Sequence, residues 1–84
     1  MNKNLKLAYE LLCNLHKHTR NYEVLKYMFD NGSITSMEAI STFGNTRLAA
    51  NIHELKKLGL EINREDIPMK NKPGAYAKYS IKCE

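Results

Sequence analysis

Two amphipathic stretches split by one tight turn occupy the middle of this chain and restrict its fold more than any other feature. Thr35 is followed three residues on by Glu38, and Thr-Ser-Met-Glu is the spacing of a helix capping box. The helix it opens is predicted to run to about Thr42, with Met37, Ala39, Ile40 and Phe43 as its apolar positions. Phe43-Gly44-Asn45 reads as the turn, with Gly44 supplying the positive φ that a tight reversal needs. Asn45 or Thr46 then caps a second helix. Leu48, Ala49, Ile52 and Leu55 form its buried stripe, with Leu58 at its end. Lys56 and Lys57 lie in the last turn, where cations suit the helix dipole, and Gly59 is the expected C-cap.

The flanks must complete a core around this unit. The chain has 84 residues, one domain's length, and a core that small leaves no apolar face to spare. Leu5 to His18 is predicted as a helix, with Leu5, Ala8, Leu12 and Leu15 on one stripe and Leu7 and Leu11 widening it. A further helix spans about Tyr22 to Phe29, buries Val24, Leu25, Met28 and Phe29, and stops at Asn31-Gly32. Ile34, alone between polar neighbours, reads as a very short extended piece. Beyond Gly59 the period changes. Leu60, Ile62, Ile67 and Met69 alternate with polar residues, interrupted at Arg64 to Asp66. Asn71-Lys72-Pro73-Gly74 signals a turn, and Ala75, Ala77, Tyr79 and Ile81 alternate after it. The fold class is mainly α with a C-terminal β-hairpin (α+β). Two short helices joined through a glycine turn and followed by a hairpin make a winged helix-turn-helix, here preceded by an extra N-terminal helix. Residues 1–20 are expected to be that helix, a dimerisation element, and residues 21–84 the winged domain.

Charge and composition limit the function classes. The hydrophobic fraction of 43% fits a folded domain rather than a disordered chain. No stretch approaches the roughly 20 apolar residues of a membrane span, and Met-Asn-Lys-Asn-Leu-Lys-Leu does not read as a secretory signal. The net charge is +4, a moderate bias toward an anionic partner. The positive charge is local: Lys70, Lys72, Lys78 and Lys82 have no acid among them, whereas Glu61 to Asp66 holds three acids and one arginine. Cys13 and Cys83 are read as free thiols of a reducing cytoplasm, with Cys13 a small core residue. Cys13, His16 and His18, with a distant His53, could suggest a metal, but zinc ligands usually pair across a turn, so no metal or other cofactor is expected. Glycine-rich phosphate loops, nucleophile elbows and paired-carboxylate motifs are missing, and no enzymatic role is expected.

In a helix-turn-helix the second helix aims its N-terminal side chains at base edges. With the stripe subtracted, its exposed side is Thr46, Arg47, Ala50, Asn51 and Glu54. Arginine pairs bidentately with guanine and asparagine with adenine, while Ala50 keeps the surface low between them. Asn45 and Thr46 lie where helix N-terminal amides meet a phosphate, and Thr35 opens the preceding helix. Glu54 fits a solvent-exposed role or a pair with Lys57 better than it fits a cytosine contact. At the hairpin, Lys70, Asn71 and Lys72, with Lys78 behind them, would reach backbone phosphates.

The stretch Gly32-Ser33-Ile34-Thr35-Ser36-Met37-Glu38-Ala39-Ile40, then Phe43 to Gly59, closing with Pro73 to Ile81, resembles the small helix-turn-helix domains common in bacteriophage and prophage genomes. The likeness takes in the helix from Tyr22 but not Met1 to Arg20. It implies DNA binding, with Thr46-Arg47 at the start of the recognition helix. Two functions stay open. One is a phage-type regulator that binds double-stranded DNA. The other is a module of the same fold that docks on a host defence or transcription protein. Either is expected in the cytoplasm of a bacterial host. The stripe of the first helix is wider than one packing face requires, which predicts a homodimer through Leu5, Leu11 and Leu12.

Overall fold

The computed structural model describes residues 3–17, 19–71 and 73–82. Its elements in order are α1 (Lys3–Asn14), α2 (Arg20–Asn31), β1 (Ile34–Thr35), α3 (Ser36–Phe43), α4 (Leu48–Lys57), β2 (Ile62–Pro68) and β3 (Ala75–Ile81). This is the predicted α+β class, a winged helix-turn-helix with an extra N-terminal helix.

Helix limits follow from side chains that compete for backbone groups. α1 stops at Asn14, short of the expected His18. The Asn14 amide turns back and donates to the Glu10 carbonyl at 2.9 Å. α2 starts at Arg20, before the expected Tyr22, because Thr19 is its N-cap. The Thr19 hydroxyl accepts from the Tyr22 amide at 3.2 Å and donates to the His16 carbonyl at 2.8 Å. The capping box of α3 forms as predicted: Thr35 Oγ1 accepts from the Glu38 amide at 3.2 Å, and Glu38 Oε1 accepts from the Thr35 amide at 3.0 Å. α4 ends at Lys57 in a Schellman arrangement, with the Gly59 amide on the Lys56 carbonyl and the Leu60 amide on that of Leu55.

The hairpin gains a third strand. β1 pairs antiparallel with β3, Ile34 opposite Tyr79 and Thr35 opposite Lys78, so the order is β1-β3-β2 with β3 central. β2 runs unbroken through Arg64 to Asp66, where an interruption was expected. These residues are exposed on both faces of the strand. An apolar alternation persists only where a strand has a face to bury, and this part of the hairpin projects past the helices.

The core lies between α2, α4, β1 and the base of the hairpin, with Val24, Leu25, Met28, Ile34 and Leu55 fully buried. Each such side chain stabilises the fold by about 1.5–3 kcal/mol through removal from water. α1 covers one flank, burying Ala8 completely, with Leu5, Leu7, Leu11, Leu12 and Leu15 half-buried around it. Several apolar residues expected inside are outside. On α3 only Ala39 is buried, while Met37 is 66% and Ile40 46% exposed. An eight-residue helix with one neighbouring layer buries a narrow stripe. Leu58 is 47% exposed because α4 has already ended, and Ala49 points to solvent beside the buried Leu48. Cys13 is an exposed free thiol rather than a core residue, since Ala8 and Leu11 hold the inward line of its helix. Among the described residues no helix is long and apolar enough to cross a membrane.

Candidate nucleic-acid interface

The turn between α3 and α4 is built by side chains as much as by backbone. Gly44 adopts φ 65°, and its amide donates to the Ile40 carbonyl at 2.8 Å. That left-handed residue turns the chain so that Asn45 points inward; Asn45 is 5% exposed. Its Oδ1 accepts from the Arg47 amide at 2.9 Å, an Asx turn, and its Nδ2 donates to Asn51 Oδ1 at 2.8 Å. Asn51 Nδ2 in turn donates to Asn21 Oδ1, on the first turn of α2, at 2.9 Å. The expected cap of α4 therefore moves. The N-cap position is Arg47, which gives no side-chain cap bond, while Asn45 holds the peptide just before it. The first turn of α4 carries no acid.

These residues line an open groove of about 440 Å³. Among its lining residues Thr46, Arg47 and Glu54 are exposed, and Ala50 and Asn51 are half-buried. Glu54 lies 3.9 Å from Lys57, the pairing expected for it. Arg20, which sequence reasoning missed, also lines the groove. Its guanidinium donates to the Phe43 carbonyl at 2.8 Å and to Glu23 at 3.1 Å. The available signal was the string Thr19-Arg20-Asn21-Tyr22-Glu23, a capped helix start with an i,i+3 ion pair.

The other candidate residues lie elsewhere. Thr35 and Lys78 face each other across β1 and β3 and line a second hollow at the start of α3, with Met37 and Tyr76. Lys78 is half-buried on the central strand, opposite Glu65 as well, and so is not a wing-tip residue. Lys70 and Asn71 are exposed at the hairpin tip, where Asn71 has φ 63° and the Met69 amide closes on the Gly74 carbonyl at 3.2 Å. Lys72 lies outside the described residues, as do His18 and Cys83. Among the described residues no three His, Cys, Asp or Glu side chains are grouped to hold a metal. The edge strand of the wing carries an Arg64–Asp66 ion pair at 3.3 Å, so the charge near the tip is mixed.

A short capped helix, a glycine turn, a second helix with an exposed polar face and a β-hairpin follow one another from Thr35 to Ile81. The family model described as a winged helix-turn-helix domain matches residues 19–83. The chain belongs to this family. The match begins at Thr19, the N-cap of α2, and leaves α1 outside. No curated protein and no solved structure matches the chain. The winged helix-turn-helix is a DNA-binding fold, in which the second helix of the unit, here α4, is the one that enters the groove.

Proposed function

We propose that this protein is a regulator of the phage type that binds double-stranded DNA, with α4 in the major groove and the wing on the backbone. The observation that carries the reading is the start of α4. Arg47 and Thr46 stand exposed there, Arg20 lines the same groove, and no acid lies in the first turn. A helix start of that kind draws phosphate, and the arginine suits a guanine edge. Lys70 and Lys72 would neutralise phosphates at the wing, and Asn71 would donate a hydrogen bond to one. Thr35 and Lys78 would meet the flanking strand beside α3. The protein acts as a homodimer through α1. Leu5, Tyr9 and Leu12 align on one side of that helix, and Tyr9 is 56% exposed. A regulator of this kind works in the cytoplasm of the bacterial host.

The test compares two substitutions on a set of duplexes. Arg47→Ala removes sequence preference, at about 1–3 kcal/mol for the preferred site, whereas Lys70→Ala weakens all duplexes alike. If neither changes DNA affinity, the reading fails. The exposed Met37 and Ile40 favour a second reading, in which α3 docks on a host defence or transcription protein. Co-purification of such a protein, with no DNA binding by the unaltered chain, would favour it.

A further inference from the structure

Asn51 lies on the exposed side of α4, where its residue type suits adenine. Its amide is already committed. Oδ1 accepts from the buried Asn45 and Nδ2 donates to Asn21. Each atom keeps one further site, a lone pair on Oδ1 and an N–H on Nδ2, but the two bonds fix the plane of the amide between Asn45 and Asn21. The bonds run in one direction, from Arg47 N–H to Asn45, from Asn45 to Asn51, and from Asn51 to Asn21. Arg20, next to Asn21, holds the Phe43 carbonyl on the other side of the same turn. The first turn of α2 thus grips the α3–α4 turn at two points. The backbone of Arg47 is fixed on both sides: its amide is held by Asn45, and its carbonyl accepts from the Ala50 and Asn51 amides at 3.1 and 3.3 Å.

We infer that Asn21 and Asn51 are positioning residues that set the geometry of the Thr46–Arg47 turn through Asn45. This rests on the DNA-binding reading only for its consequence, since the relay exists in the free protein. It predicts that affinity at the interface depends on an α2 residue that touches no nucleic acid. An aligned chain of amides loses its directing effect when one member goes, so the two positions act as a unit.

The test has a free-protein arm and a DNA arm. Amide hydrogen exchange is measured on the full chain with Asn21→Ala, Asn51→Ala and both together. Protection of the Arg47 amide falls about tenfold in each single variant and no further in the double. The Leu25 amide, in the interior of α2, is unchanged, which a general loss of stability would not permit. An unchanged Arg47 amide in Asn21→Ala overturns the inference. In the DNA arm, a preferred duplex and its single-base-pair variants are titrated. Asn51→Ala weakens the preferred duplex about tenfold and blunts the preference that Arg47 supplies, and Asn21→Ala reproduces both effects. A changed preference at a single A·T pair in Asn51→Ala, with Asn21→Ala normal, would make Asn51 a base reader and overturn the inference while DNA binding stands. If the unaltered protein binds no duplex, the DNA-binding reading fails and the exchange arm still decides the relay.

Discussion

The Asn4 side chain pairs with both backbone groups of Glu61: Nδ2 donates to the Glu61 carbonyl and Oδ1 accepts from its amide, each at 2.8 Å. Nδ2 also donates to the Lys82 carbonyl at 2.8 Å. The amide imitates a peptide group at the base of the hairpin, beside the last rung, where the Lys82 amide donates to the Glu61 carbonyl at 3.0 Å. This fastens α1 to the sheet from which the wing extends. Asn4→Ala lowers stability by about 1–2 kcal/mol, seen as a reduced urea midpoint with an unchanged slope. An unchanged midpoint would show that water replaces these bonds without cost.

Tyr27 couples the capping box to pH. Its hydroxyl donates to Glu38 Oε2 at 2.9 Å, and that bond, followed by desolvation and the Glu38 charge, raises its pKa above the ordinary value of 10.0. The folded protein holds the phenol proton more tightly than the unfolded chain does. The contribution is therefore present in full below about pH 10 and is lost as pH rises through the folded-state value. Thermal melts should lose stability above pH 10 more steeply in the unaltered protein than in Tyr27→Phe. Parallel pH profiles would contradict the coupling.

Gly59 carries the end of α4 into the wing at φ 99°. A Cβ there would meet Leu7 Cδ2 at 3.6 Å, an ordinary contact, so the penalty for Gly59→Ala is conformational rather than steric. It should cost about 1–2 kcal/mol in a denaturant titration. A neutral result would mean that the Schellman bonds are dispensable.

The dimer reading turns on α1. Light scattering at micromolar concentration should give twice the chain mass, and Leu12→Glu should give the monomer mass with helix content retained. A monomer for the unaltered protein would leave Leu5, Tyr9 and Leu12 as surface residues that only shield the core.

The parts of the fold legible in the sequence are those set by local chemistry. The Thr35–Glu38 box, the positive φ of Gly44 and the Leu48-Ile52-Leu55 stripe depend on neighbours within one turn or two. What escaped depends on distance. Asn45 was expected at the surface as a cap because its type suits one, yet its partners are Asn51 and, through it, Asn21 on another helix. Met37 and Ile40 have the spacing of buried residues, but no second layer covers them. Lys78 was grouped with the wing lysines by sequence proximity, and the register with β1 sets it beside Thr35 instead. At the candidate interface, Thr46, Arg47 and Ala50 were readable from helix phase alone, while Arg20 required the packing of α2 against α4.

The most direct measurement is a duplex DNA titration across a salt series, starting well below physiological ionic strength. The account predicts binding at low salt that weakens steadily as salt rises, with a slope that falls by about one in Lys70→Ala. It predicts that Arg47→Ala loses preference among sequences. No binding to genomic or random duplexes at the lowest salt would contradict the central claim.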